Sequence, residues 1–250
     1  MKLFSKLEFH PLFLATIAVA FCTGYFKYMM GIFSIVMIHE LGHIFFAAIF
    51  KRKVNKIILL PFGGLTNMDG MISDDIFEDE LIAVGGIFFQ TILGFALAAV
   101  YEWGFLSDTT FRFLNTYNMF IIAFNLLPIC PLDGYKIVKL AIEFFVPYST
   151  AYRTAVYMSI VVLTIAVVCN FTICQNNLLV FIFLAFMIIR EIRMRPYLLS
   201  MFYLERMNGD FSYKRVDIEN RKSMYKNRVN YIRGVHEKDY LKRQFTPKTN

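Results

Sequence analysis

The run Ile38-His39-Glu40-Leu41-Gly42-His43 carries the chemistry of this chain. In a helix, residues four apart lie one above the other on the same face. His39 and His43 can therefore offer two imidazoles to one metal ion. Glu40 stands one step round the helix and can reach a water activated by that metal. This is the H-E-x-x-H arrangement of zinc hydrolases. Zinc brings the pKa of its water to roughly 7, and a neighbouring carboxylate can take the proton and pass it to a leaving amine. The plain alternative is a buried polar cluster that fixes helix contacts. The setting argues against it, because ionisable residues inside an apolar span are costly and mark function by default.

Catalytic zinc takes three protein ligands and keeps one position open. His10 would start the first apolar stretch, and His236 lies far away in the polar tail. Asp133 is the stronger candidate for the third ligand. It sits in Asn125-Leu126-Leu127-Pro128-Ile129-Cys130-Pro131-Leu132-Asp133-Gly134, where two prolines and a glycine break a helix and let a carboxylate turn inward. Read without chemistry, the same residues are an ordinary turn.

These residues need a scaffold, and composition says which kind. The 250 residues are 57% apolar and 18% charged, with 28 Phe. Soluble domains run near 45–50% apolar and about 25% charged. This balance argues against a soluble enzyme, a disordered chain and a disulfide scaffold, and an integral membrane protein is expected. Six stretches approach spanning length, roughly 17–25 residues for a helix. They lie near Pro11–Phe26, Gly31–Phe50, Glu80–Tyr101, Phe111–Leu127, Ala151–Asn170 and Leu178–Ile189. The expected fold is an all-α membrane protein with six transmembrane helices, and a small β-hairpin or strand insertion after the second.

Basic residues orient the spans. Lys2, Lys6, Lys51, Arg52, Lys53, Lys56, Lys136, Lys139 and Arg153 fall on one side, and only Lys27 and Arg112 on the other. Both termini are expected in the cytoplasm. Residues 190–250 hold 15 Lys/Arg against 7 Asp/Glu, so the net charge of +7 belongs to the tail. A basic segment after a span fits an anionic lipid surface, and no groove-reading motif points to nucleic acid. The expected organisation is a membrane metalloprotease domain over 1–195 and a basic cytoplasmic tail over 196–250. The second and fourth spans both run towards the inside. His43 then lies ~12 Å below the inner surface at ~1.5 Å per residue, and Asp133 follows the inner end of the fourth span. Both candidates fall on the cytoplasmic side.

Val54–Leu60, rich in β-branched and aliphatic residues, precedes Pro61-Phe62-Gly63-Gly64 and reads as a strand and turn. Such a strand could hold an unwound substrate segment by strand addition. The acids from Asp69 to Glu80 read as a solvated loop. The tail is open between helical, interfacial and disordered readings. The four cysteines match no metal or disulfide framework, although Cys169 and Cys174 could pair in an oxidising space.

The helix-borne His-Glu-Leu-Gly-His with a distant Asn-x-x-Pro-x-x-Pro-Leu-Asp-Gly resembles the site-2 protease family of intramembrane zinc metalloproteases. The resemblance covers residues about 1–195. It implies one zinc held by His39, His43 and Asp133, with Glu40 as the catalytic acid/base. It also implies substrate contacts near Asn125 and along Phe62, Gly63 and Gly64. Where that family often carries Gly-Pro-x-x-Asn, this chain has Gly85-Gly86-Ile87-Phe88-Phe89-Gln90, which makes Gln90 a candidate substrate contact. In the sporulation branch of the family the implied partners are a membrane-associated pro-sigma factor as substrate and inhibitory membrane proteins. Two other readings stand beside it. One is a protease for an anti-sigma factor or a remnant signal peptide. The other is a non-proteolytic metal-binding membrane protein.

Overall fold

The computed structural model describes residues 7–9, 21–52, 54–60, 63–68, 76–173, 178–209 and 213–245. The chain divides into two compact units, residues 1–70 with 81–125, and residues 71–80 with 126–250.

The first unit is built on two long apolar helices. Helix α1 spans Phe26–Ile49 and α2 spans Ile76–Glu102, its first turn belonging to the second unit. Neither contains proline, and both are long and apolar enough to cross a membrane. Their patterning is inverted relative to a soluble helix. On α1 the buried residues are Ile35, His39, Glu40, Gly42, His43 and Ala47, a stripe at helical spacing that holds the polar groups. Leu41, Phe45 and Ile49 face outward instead. Hydrocarbon takes the apolar face, and the ionisable groups turn inward as such groups must. The helix stops in a left-handed turn at Lys51, where the Lys51 and Arg52 amides donate to the carbonyls of Ala48 and Ala47. That closure is a Schellman motif, with lysine where glycine is usual.

Close approach joins α1 to α2. A Cβ on Gly42 would overlap the Gly85 carbonyl, and the two helices pack through small residues as membrane helices do. Phe45 and Phe89 meet at 5.3 Å between ring centroids beside that contact. Helix α3, Asp108–Asn125, packs on α1 through Tyr28 and Phe113, 4.8 Å apart. Strands β1 (Leu7–Phe9), β2 (Val54–Leu60) and β3 (Gly63–Met68) form a sheet in that order. β1 runs parallel to β2, and β3 returns antiparallel. The expected strand insertion is thus present as a hairpin joined by a third strand.

In the second unit α4 spans Asp133–Glu143, α5 Tyr148–Ile173 and α6 Leu178–Asn208. Tyr148–Cys169 is the third stretch long and apolar enough to cross a membrane, so three of the described helices meet that test. Most of the first expected span lies outside the described residues, as does Cys174. Helix α3 has 18 residues and opens on Asp108 and Arg112, an exposed ion pair.

The tail is a folded body. Strands β4 (Arg215–Ile218), β5 (Val229–Ile232) and β6 (Val235–His236) form a second sheet, β4 parallel and β6 antiparallel to β5. Helix α7, Glu237–Phe245, covers it. Phe202, Tyr203, Met224, Ile232 and Leu241 bury together with Tyr148, whose ring stacks on Phe202 at 4.4 Å. Buried Arg206 forks onto Glu237 and donates to the carbonyls of Lys226 and Arg228, while Asn230 donates to Glu237 at 2.8 Å. The chain is mostly helical, and the second sheet, in the tail, is an addition to the expected helices and strand insertion. The second sheet escaped sequence reading because its strands are two to four residues long and share their core with α5 and α6.

Candidate metal centre

His39 and His43 lie on the buried stripe of α1, with their Nε2 atoms 3.1 Å apart. The other nitrogen of each ring is held. His39 Nδ1 meets Gln90 Oε1 at 3.0 Å, and His43 Nδ1 meets the carbonyl of Ile82 at 2.8 Å. A carbonyl oxygen only accepts, so both Nδ1 atoms carry the proton. Both Nε2 atoms then present lone pairs, and two lone pairs at that distance repel unless a cation lies between them. Two nitrogens bound to one tetrahedral zinc at about 2.0–2.1 Å stand roughly 3.3 Å apart. The residues fit a divalent metal, and imidazole suits zinc.

Backbone fit secures this geometry. A Cβ on Gly86 would clash with both imidazoles, so glycine lets α2 lie directly over the rings. Glu40 is buried on the same helix, 5% exposed, one position beyond His39.

Asp133 belongs to the second unit and is the first residue of α4. It is buried, and its Oδ1 accepts from Lys136 Nζ at 2.9 Å. The loop before it is tightly specified. The Ser159 hydroxyl of α5 lies 3.0 Å from the Pro128 carbonyl and 3.3 Å from the Cys130 amide. A Cβ on Gly134 would overlap the carbonyls of Leu126 and Leu127, so only glycine lets α4 begin there. Burial, then the charge of Glu191, push the Cys130 thiol up to about 12.

The remaining expected site residues are placed as follows. Gly63 and Gly64 open β3. Phe62 lies outside the described residues. Asn125 ends α3. Gln90 is fully buried on α2, and the Asn118 amide donates to its main-chain carbonyl at 3.0 Å. The expectation that Val54–Leu60 receives a substrate strand needs correction. That strand is the middle one, with β1 on one side and β3 on the other, so both its edges are already paired. Among the described residues, β3 has an outer edge without a partner strand. Sequence reading missed Ile82, Asn118 and Ser159. An amide inside an apolar helix was the available signal for Asn118, and none existed for the Ile82 carbonyl.

Two stretches, residues 27–108 and 102–169, match the model of Peptidase family M50. Stage IV sporulation protein FB of Bacillus subtilis is 31% identical over 212 residues, which cover 84% of this chain and 74% of that one. The chain belongs to Peptidase family M50. The zinc metalloprotease MJ0392 of Methanocaldococcus jannaschii is 34% identical over 112 residues, covering 43% of this chain and 32% of that protein. Among solved structures, the site-2 protease of Methanocaldococcus jannaschii shares the fold, with a TM-score of 0.59 at 24% identity over 74% of this chain and 89% of that one. With its apolar helices, this chain is a membrane metalloprotease of the site-2 protease family, and zinc is the metal that membership implies.

Proposed function

We propose that the protein is an intramembrane zinc endopeptidase that releases a regulatory protein from the membrane. His39, His43 and Asp133 hold one zinc, and Glu40 is the catalytic acid/base. The observation that carries the reading is the pair of imidazoles whose Nε2 atoms face each other at 3.1 Å while both Nδ1 atoms are held by carbonyl oxygens.

When bound, zinc supplies Lewis-acid polarisation of a peptide carbonyl and lowers the pKa of water at the site. The chain's own residues do the rest. Glu40 takes the proton from the attacking water on its carboxylate and returns it to the leaving amine, as its place beside His39 on the buried stripe allows. Burial of the site limits access of bulk water. The outer edge of β3 receives an unwound substrate segment by strand addition, and Gly63 and Gly64 let the two backbones approach. Phe62 and Asn125 complete the candidate substrate contacts.

Six spans with both termini in the cytoplasm and the site towards that side complete the reading, supported by the asymmetry of Lys and Arg. Similarity to stage IV sporulation protein FB over 84% of the chain favours a membrane-associated pro-sigma factor as substrate during sporulation, with inhibitory membrane proteins as partners. Co-expression in a bacterial host with a pro-sigma factor, a single-pass anti-sigma factor or a signal-peptide remnant tests the choice. Processing of the pro-sigma factor alone is expected. Processing of either other substrate alone would reassign the enzyme within its family.

A further inference from the structure

Helices α2 and α3 hold a buried polar chain that ends on the first histidine. His39 Nδ1 meets Gln90 Oε1 at 3.0 Å, and Asn118 of α3 donates to the Gln90 carbonyl at 3.0 Å. Gln90 and Asn118 are both fully buried. Gly94, one turn beyond Gln90, leaves the room Asn118 occupies, since a Cβ there would come within 3.3 Å of Asn118 Nδ2. Among the described residues, the buried Gln90 Nε2 atom has no hydrogen-bond partner. An unpaired buried donor is destabilising, so packing stability does not account for an amide here. The acceptor oxygen does.

We infer that Gln90 is a positioning residue for the metal: its Oε1 holds the proton on His39 Nδ1, which keeps His39 Nε2 as a ligand, and Asn118 holds Gln90 in register. The inference rests on the zinc reading above. It gives the two histidines unequal support. His43 leans on the main-chain carbonyl of Ile82, which no side-chain substitution removes. His39 Nδ1 leans on a side chain. Partners of this kind typically contribute 10–100-fold in metal affinity. The roles of the two amide atoms also separate. Substituting Gln90→Glu keeps an acceptor facing His39 and puts a second carboxyl oxygen in place of the amide nitrogen. Substituting Gln90→Leu removes the acceptor and leaves a side chain suited to an apolar interior.

The test is zinc affinity of the purified full chain in detergent, measured by chelator competition, with the melting temperature of the metal-free protein alongside. Wild type and Gln90→Glu are expected to bind zinc within a few-fold of each other. Gln90→Leu is expected to bind about 10–100-fold more weakly, with the metal-free melting temperature unchanged. Asn118→Leu is expected to weaken zinc in the same direction and by less. Undiminished zinc binding by Gln90→Leu would overturn the inference, and so would equal weakening in Gln90→Glu and Gln90→Leu. Should Gln90→Leu fail to fold, Gln90→Met against Gln90→Glu decides on the same criterion. Zinc absent from the wild type itself would remove the metal reading and this inference with it, a result distinct from either of the others.

Discussion

Gly42 and Gly85 meet backbone to backbone, with the Gly85 carbonyl in the space a Cβ on Gly42 would need. Gly42 lies between the two histidines of α1, so this contact fixes how closely α2 approaches the site. The obstacle is main chain and cannot rotate away. Gly42→Ala is expected to destabilise the protein by at least the 1–3 kcal/mol typical of overpacking and to weaken zinc binding, because α2 carries the partners of both rings. For Gly85→Ala the neighbours are the Gly42 carbonyl at 2.7 Å and the movable Phe46 ring at 2.8 Å. It should be the milder of the two. Thermal melting with metal analysis checks the order, and a harmless Gly42→Ala would refute the packing account.

The tail behaves as part of the fold. Lys226 is buried against Asp79 at 2.9 Å and Glu143 at 3.8 Å, and Asn227 donates to the Phe144 carbonyl. Removing 210–250 would bare Tyr148, Phe202 and the buried Glu143. A tail that served only as a lipid anchor would be dispensable. This one is expected to be required for accumulation of folded protein in the membrane. Lys226→Met isolates the charge effect, since breaking a buried pair costs about 3–5 kcal/mol. Full-length yield and melting temperature report the outcome, and a stable truncated protein would contradict it.

The loop before Asp133 makes a chemical prediction. With its thiol pushed up to about 12 by burial and Glu191, Cys130 is only about one part in ten thousand thiolate at pH 8. It should resist alkylation in folded protein and react on denaturation. Ser159→Ala removes the hydroxyl that pins the loop, and is expected to speed alkylation and weaken zinc together. Rapid labelling of wild-type Cys130 would show the loop open.

Much of the site was legible in sequence because its signals are local. His39, Glu40 and His43 share one helix, and their spacing alone implies the face they occupy. Gly134 and the prolines announced the break that starts α4 at Asp133. The strand pair after α1 was legible from β-branched residues and a Gly-Gly turn. Pairing order was not, because β1 comes from near the N-terminus and takes the edge of β2 that strand addition would need. Gln90 draws notice in the sequence through the family's Gly-Pro-x-x-Asn position that it occupies, yet its partner, His39, lies 51 residues away and leaves no local trace. The second sheet was hidden for a related reason. Its strands are short, and its core is completed by Tyr148 and Phe202 from helices that read as membrane spans and their extensions.

Cleavage by the purified full chain, with zinc content measured on the same samples, tests the central claim most directly. Wild type and Glu40→Gln would be compared on a membrane-anchored substrate in lipid vesicles, with and without a zinc chelator. The account predicts one zinc per chain in both proteins, cleavage by wild type alone, and loss of that cleavage on chelation with recovery when zinc is restored. Cleavage by Glu40→Gln at the wild-type rate, or cleavage that survives complete removal of metal, would contradict it.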